Sequence, residues 1–219
     1  MIAKDLLSNI ILPVLPDNTA EQALSMMSVY HVKHLPVVKD DILLGILSEE
    51  DVASCPLDTK IRDIKISSTY IYVSAFDHVF EILSRLAENN ITVVPVVDNN
   101  EKFLGLISQE DLIKFYANSF SFTEPGSIVV LETSKRGYVL SEVARVIELE
   151  NASVIASFVN TNKGSEVTLL TLKINQQEIS NIIAALERYG YKIQAAFTEE
   201  EYEDDLKDRY DQLMNYLNV

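Results

Sequence analysis

A chain of 219 residues with 47 % apolar and 23 % charged side chains has the composition of a globular protein, long enough for one large domain or two ordinary ones. Its net charge of −15 repels phosphate backbones and anionic lipid, and no stretch approaches the ~18 consecutive apolar residues of a membrane span, so nucleic acid and membrane drop out as default partners. The single cysteine, Cys55, rules out an internal disulfide and a thiolate metal cage.

The opening MIAKDLLSN carries an acid where a secretory signal would be basic, which sets a cytoplasmic expectation. From there the chain is organised by a repeat. AKDLL (3–7) pairs with IRDIK (61–65), AEQALSMMSVY with HVFEILSRLAEN, and HVKHLPVVKDDILLGILSEEDV (31–52) with NITVVPVVDNNEKFLGLISQEDL (90–112). Pro36 matches Pro95 and Asp51 matches Asp111, with one extra residue in the second turn. Each unit reads short strand, helix, strand, turn, strand, helix. Thr19 and Gln22 form a capping box before an apolar face of Ala20, Ala23, Leu24 and Met27. LPVV and ILLGIL around a polar turn signal a hairpin. The repeats occupy 1–58 and 59–120.

SFTEPGS (121–127) is turn-rich and marks a boundary. Beyond it IVVLET reads as a strand and LSEVARVIELEN as a helix. VIASFVNT and EVTLLTLKI follow as strands around Asn162-Lys163-Gly164, then QEISNIIAALERYG as a helix and YKIQAAF as a strand. This βαββαβ string over 128–198 has the split arrangement of ferredoxin-like domains. Residues 199–219, with 8 acidic and 2 basic side chains, predict an acidic amphipathic helix capped by Thr198 and Glu201, with Tyr202, Leu206, Tyr210, Leu213 and Leu217 on one stripe.

GILSEED (45–51) and GLISQED (105–111) admit three readings. Ser-x-x-Asp can be a helix capping box, and the glycine can serve a bend within a strand. Alternatively, a hydroxyl and a carboxylate at a strand-to-helix junction can accept a vicinal diol, while the free N–H groups of the helix start attract an anion.

Two units ending in Gly-aliphatic-aliphatic-Ser-x-x-Asp, each after a Pro-Val-Val strand, resemble a pair of cystathionine-β-synthase (CBS) domains, a Bateman module, over residues 1 to about 117. The resemblance implies two β-α-β-β-α repeats related by a pseudo-twofold axis, with clefts between them that bind adenosine-containing ligands such as AMP, ADP or ATP. It places ribose contacts on Asp51 and Asp111 with their hydroxyl partners Ser48 and Ser108. It places adenine against the backbone of Leu12–Leu15 and Ile71–Val73, around Val14 and Val73, and phosphate contacts on Lys33 and His34. The equivalent positions of the second repeat are Thr92 and Val93, so the two sites are unequally equipped, and Glu49, Glu50 and Glu110 set negative charge beside them. Lys33 and His34 read equally well as a solvated strand edge.

The βαββαβ string resembles an ACT domain, the module through which many metabolic enzymes sense amino acids. TSKRGYVLSEVARVIELENASV matches its first loop and helix, which implies a small-molecule site at Lys135, Arg136 and Gly137. The aspartate that often precedes this glycine is replaced by Ser134, Lys135 and Arg136. A CBS pair followed by an ACT-like domain is the layout of acetoin-utilisation-type regulatory proteins. The expected fold is thus α+β, a CBS pair followed by a ferredoxin-like ACT-type domain and a C-terminal helix. The expected function is a non-enzymatic, homodimeric sensor of an adenine nucleotide acting on a protein partner. Three histidines without metal spacing, one cysteine without a nearby base and no glycine-rich phosphate loop supply no catalytic constellation and call for no metal or required cofactor. A ligand-free structural adaptor is the alternative.

Overall fold

The computed structural model describes residues 1–66, 70–119, 124–134, 139–161 and 167–198. By contact it divides into two units, Met1–Tyr116 and the chain from Ala117 onward.

The first unit holds both repeats. After a 3₁₀ turn at Ala3–Leu6 come α1 (Ala20–Tyr30), β1 (His34–Lys39), β2 (Ile42–Ser48) and the short α2 (Glu49–Ala53). A second 3₁₀ turn at Ile61–Asp63 then leads to β3 (Val73–Ser74), α3 (Val79–Asn89), β4 (Val93–Val97), β5 (Phe103–Ser108) and α4 (Gln109–Ser119). The capping box of α1 forms as expected, Gln22 N–H donating to Thr19 Oγ1 at 3.2 Å and Thr19 N–H to Gln22 Oε1 at 2.9 Å. Ala20, Ala23 and Met27 are buried and Leu24 is half-buried.

Each hairpin is antiparallel and carries an irregularity opposite its glycine, between Val37 and Val38 and between Val96 and Val97. Gly45 and Gly105 adopt φ of 156° and 155° there, and a Cβ on Gly105 would crowd Leu7 Cδ2 at 3.2 Å. The bend reading of these glycines therefore holds. The leading strand of each repeat is very short. Val14 makes one parallel bridge to Val37, and β3 pairs with β4 over two residues. Pro36 and Pro95 lack the N–H that would extend those ladders.

The 3₁₀ turns exchange places. Ala3 N–H donates to Asp77 O and Lys4 N–H to Ala75 O, so the N-terminal turn docks on the second repeat. Ile61 N–H donates to Asn18 O and Arg62 N–H to Pro16 O, so the turn that opens the second repeat docks on the first. The cores follow suit. One cluster unites Leu35 and Leu47 with Ile61, Val93 and Leu106, and the other unites Ile82, Val94 and Ile107 with Ala3 and Ile46. The repeats therefore share two mixed cores.

The second unit runs β6 (Ser127–Ser134), α5 (Leu140–Leu149), β7 (Val154–Thr161), β8 (Val167–Ile174), α6 (Ser180–Arg188) and β9 (Lys192–Phe197). Its sheet is antiparallel in the order β7-β8-β6-β9, the split ferredoxin-like arrangement. Alternate residues Val129, Leu131, Leu170 and Leu172 meet Val143, Val146, Ile147, Ile182 and Leu186 of the two helices. Gly126, just before β6, has φ 150°, and a Cβ there would collide with the Ile174 carbonyl. The 162–164 turn and the 199–219 helix of the sequence reading lie outside the described residues. Among the described residues no helix is long and apolar enough to cross a membrane.

Candidate functional site

The hairpin register sets up each Ser-x-x-Asp junction. Ser48 ends β2 directly opposite His34, and Ser108 ends β5 opposite Val93, so each junction sits against the start of its own repeat's preceding strand. Glu49 N–H donates to Lys33 O at 2.8 Å and Gln109 N–H to Thr92 O at 3.0 Å, tying each helix start to the residue before that strand.

Both motifs form capping boxes. Ser48 N–H donates to Asp51 Oδ2 at 3.0 Å and Asp51 N–H to Ser48 Oγ at 3.0 Å. Ser108 N–H and Oγ donate to Asp111 Oδ2 at 2.9 and 2.6 Å, and Asp111 N–H donates back to Ser108 Oγ at 3.1 Å. The capping reading thus holds in both repeats. Each box employs one carboxylate oxygen, whereas an ionised carboxylate offers about four acceptor positions, so capping and diol recognition are compatible roles.

Two neighbouring clefts lie between the repeats. The first, about 570 Å³, gathers Lys33, His34, Ser48, Glu49, Glu50 and Asp51 on one side and Asn89, Asn90, Thr92 and Gln109 on the other. The second, about 230 Å³, brings Ser108, Gln109, Glu110 and Ile113 against Tyr30, His31 and Val32, again with Thr92. Small-molecule pockets typically span ~300–1,000 Å³, a range the first cleft meets and the second does not. His31 and Asn90 occupy matching places, each the left-handed cap closing its helix, at φ 54° and 51°.

Thr92 pins the wall between the clefts. Its N–H donates to His34 Nδ1 at 3.2 Å, and its hydroxyl oxygen accepts from Lys33 N–H at 2.9 Å. An acceptor Nδ1 places the imidazole proton on Nε2. Burial lowers the His34 pKa below its ordinary 6.5, against the pull of Asp51, Glu50 and Glu49 and with that of Lys33, so the ring is neutral at neutral pH. A depressed basic pKa contributes stability that is present above the unfolded value and lost as pH falls through and below it. Loss of this contribution as pH falls below ~6.5 should appear as a drop in thermal midpoint that is larger in the wild type than in His34→Gln. Parallel pH profiles for the two proteins would refute it.

Of the residues singled out in the sequence, Ser48, Asp51, Lys33 and His34 come together in the first cleft, and Ser108 lines the second with Asp111 bonded behind it. Val14 and Val73 are not among the residues lining either cleft, and their side chains, 0 % and 2 % exposed, are buried in the cores, so the adenine contact expected on these strands would be one of backbone. Lys135, Arg136 and Gly137 lie outside the described residues. Sequence reasoning missed Asn89, Asn90 and Gln109 as cleft walls and named Thr92 only as the second repeat's counterpart of Lys33. The repeat alignment held the signal, since Thr92 matches Lys33 and Asn90 matches His31. Among the described residues no group of three or more His, Cys, Asp or Glu could hold a metal ion.

The family model for the CBS domain matches residues 3–58 and 61–118, more than half of the chain. The chain belongs to the CBS-domain family. Its first unit is a tandem CBS pair, and a βαββαβ unit with a split ferredoxin-like sheet follows. An inosine-5′-monophosphate dehydrogenase of Methanocaldococcus jannaschii is 31 % identical over 107 residues, 48 % of this chain and 21 % of the enzyme. A homoserine O-acetyltransferase of Methanococcus vannielii is 36 % identical over 102 residues, 44 % of this chain and 21 % of the enzyme. The chain thus spans only about a fifth of the length of these relatives. A crystal structure of a CBS domain pair/ACT domain protein from Thermotoga maritima is 22 % identical, covering 52 % of this chain and 95 % of that one with a TM-score of 0.48. CBSX2 in complex with AMP is 20 % identical, covering 52 % of this chain and 94 % of that one at a TM-score of 0.44.

Proposed function

We propose that the protein is a non-enzymatic sensor whose CBS pair binds an adenosine-containing nucleotide in the first cleft and passes the bound state to the ACT-like unit or to a protein partner. The observation that carries this reading is the convergence of Ser48, Asp51, Lys33 and His34 on one cavity of about 570 Å³. Asp51 and Ser48 would take the ribose diol, Lys33 a phosphate, and the neutral amides of Asn89, Asn90 and Gln109 the remaining polar edges. The ACT-like unit would add a second small-molecule site of amino-acid type. Equilibrium titration of the intact chain with AMP should saturate near one ligand per chain, because the second cleft is the smaller and its lining carries no lysine or arginine. The absence of saturable binding by adenosine, AMP, ADP and ATP would leave the ligand-free adaptor, a reading supported by the capping partners that each serine and aspartate has within its own motif.

The same reading includes a homodimer. Phe80 and Leu83 of α3 are 61 % and 46 % exposed, and Phe158 and Val159 of the edge strand β7 are 41 % and 54 % exposed. Each would yield ~1.5–3 kcal/mol on full burial. Light scattering should give roughly twice 24.6 kDa with and without nucleotide. A monomer mass in both conditions would refute the dimer.

A further inference from the structure

The first cleft has room for more charge than it can hold. Its lining carries one permanent cation, Lys33, against three carboxylates, Glu49, Glu50 and Asp51. Among the described residues neither Glu49 nor Glu50 has an ion-pair partner, and neither has Lys33. The opposite wall of Asn89, Asn90, Thr92 and Gln109 is neutral. His34 adds no charge at neutral pH, because burial favours its uncharged form. The start of α2 offers no compensation either: the helix is five residues long and its first turn consists of Glu49, Glu50 and Asp51.

The contrast with the second cleft locates the effect. There the equivalent acid, Glu110, is engaged by Lys114 at 2.6 Å across one turn of α4. Among the described residues no cation answers Glu49 or Glu50 in this way. With about 570 Å³ available, volume does not set the limit on a bound nucleotide. What distinguishes one phosphate-chain length from another in this cleft is its surplus of negative charge.

We infer that Glu49 and Glu50 are specificity-determining residues that restrict the first cleft to adenosine ligands with no more than one phosphate, Lys33 matching that single phosphate and the two glutamates repelling any beyond it. The inference rests on the nucleotide reading of the cleft and narrows it from adenine nucleotides in general to the nucleoside and its monophosphate. Each further phosphate brings negative charge into a site whose surplus is already negative, and repulsion between partly exposed charges is weakened but not abolished by water and salt.

Calorimetric titration of the intact protein with adenosine, AMP, ADP and ATP, under a chelator and at low and high salt, tests it, alongside the double variant Glu49→Gln/Glu50→Gln. Glutamine keeps the size and helix preference of glutamate and removes only its charge. Wild-type protein should bind ATP about tenfold more weakly than AMP at low salt, with the gap narrowing at high salt. In the double variant the ATP-to-AMP ratio should rise about tenfold. Wild-type protein that binds ATP as tightly as AMP, or a ratio that the variant leaves unchanged, overturns the inference while the nucleotide reading stands. No binding of any of the four by wild-type protein overturns the nucleotide reading itself, and this inference with it.

Discussion

Replacing Asp51 with alanine is expected to weaken adenosine and AMP binding roughly ten- to a hundredfold, the ~1.5–3 kcal/mol of a hydrogen-bond pair to a charged acceptor. The carboxylate stands at the junction of β2 and α2 in the larger cleft, with Lys33 and His34 beside it. Because Asp51 Oδ2 also closes the capping box with Ser48 N–H, alanine removes a structural contact, worth about 1 kcal/mol of local stability, together with the binding group. Asp51→Asn separates the two roles. Its side-chain oxygen can still accept from Ser48 N–H, while the charge that strengthens a bond from a ribose hydroxyl is gone. The asparagine variant should therefore melt close to the wild type and bind at least about tenfold more weakly. Asp111→Ala should have the smaller effect on binding, since its partner Ser108 faces a cleft of about 230 Å³. Calorimetry showing unchanged affinity in Asp51→Ala and Asp51→Asn would remove Asp51 from the site.

The second large effect concerns stability, and its position is not where the repeat boundary would put it. Ile61→Ala should cost about 2–5 kcal/mol of unfolding free energy, as a buried isoleucine does when the surroundings cannot collapse around the cavity. Ile61 belongs to the turn that opens the second repeat, yet it is 0 % exposed in the core built on Leu35, Leu47 and α1 of the first. The exchange of 3₁₀ turns joins the repeats at both ends. A substitution in one repeat should therefore unfold the pair as a whole, in a single denaturant transition with a lowered midpoint. A loss below about 1 kcal/mol would mean that the turn does not complete the first repeat's core.

Much of this architecture was legible in the sequence because it is encoded locally. The Thr19–Gln22 and Ser48–Asp51 boxes, the hairpins around Asp40-Asp41 and Asn99-Asn100, and the change of pattern after α4 all follow from residues within a few positions of one another. The repeats themselves declared the pair, and the βαββαβ string declared the split sheet of the second unit. What escaped was long-range. AKDLL and IRDIK are equivalent segments of the repeat, but nothing within them says that Ala3 docks beside Asp77 and Ile61 beside Asn18. The cleft walls escaped for the same reason. Asn89, Asn90 and Thr92 face Glu49 and Asp51 across about 40 positions of chain, and only the packing of one repeat on the other brings them together. The resemblance places adenine against the backbone of the leading strands around Val14 and Val73, and their side chains point into the cores.

The central claim is that the cleft between the CBS repeats, on the Asp51 side, is a nucleotide site. The most direct measurement is a crystal structure of the intact chain grown with saturating AMP. The ribose hydroxyls should lie within hydrogen-bond distance of Asp51 and the phosphate beside Lys33, with the Ser48–Asp51 capping box preserved. AMP bound elsewhere on the chain, or a cleft that stays free of nucleotide at saturating concentration, would contradict it.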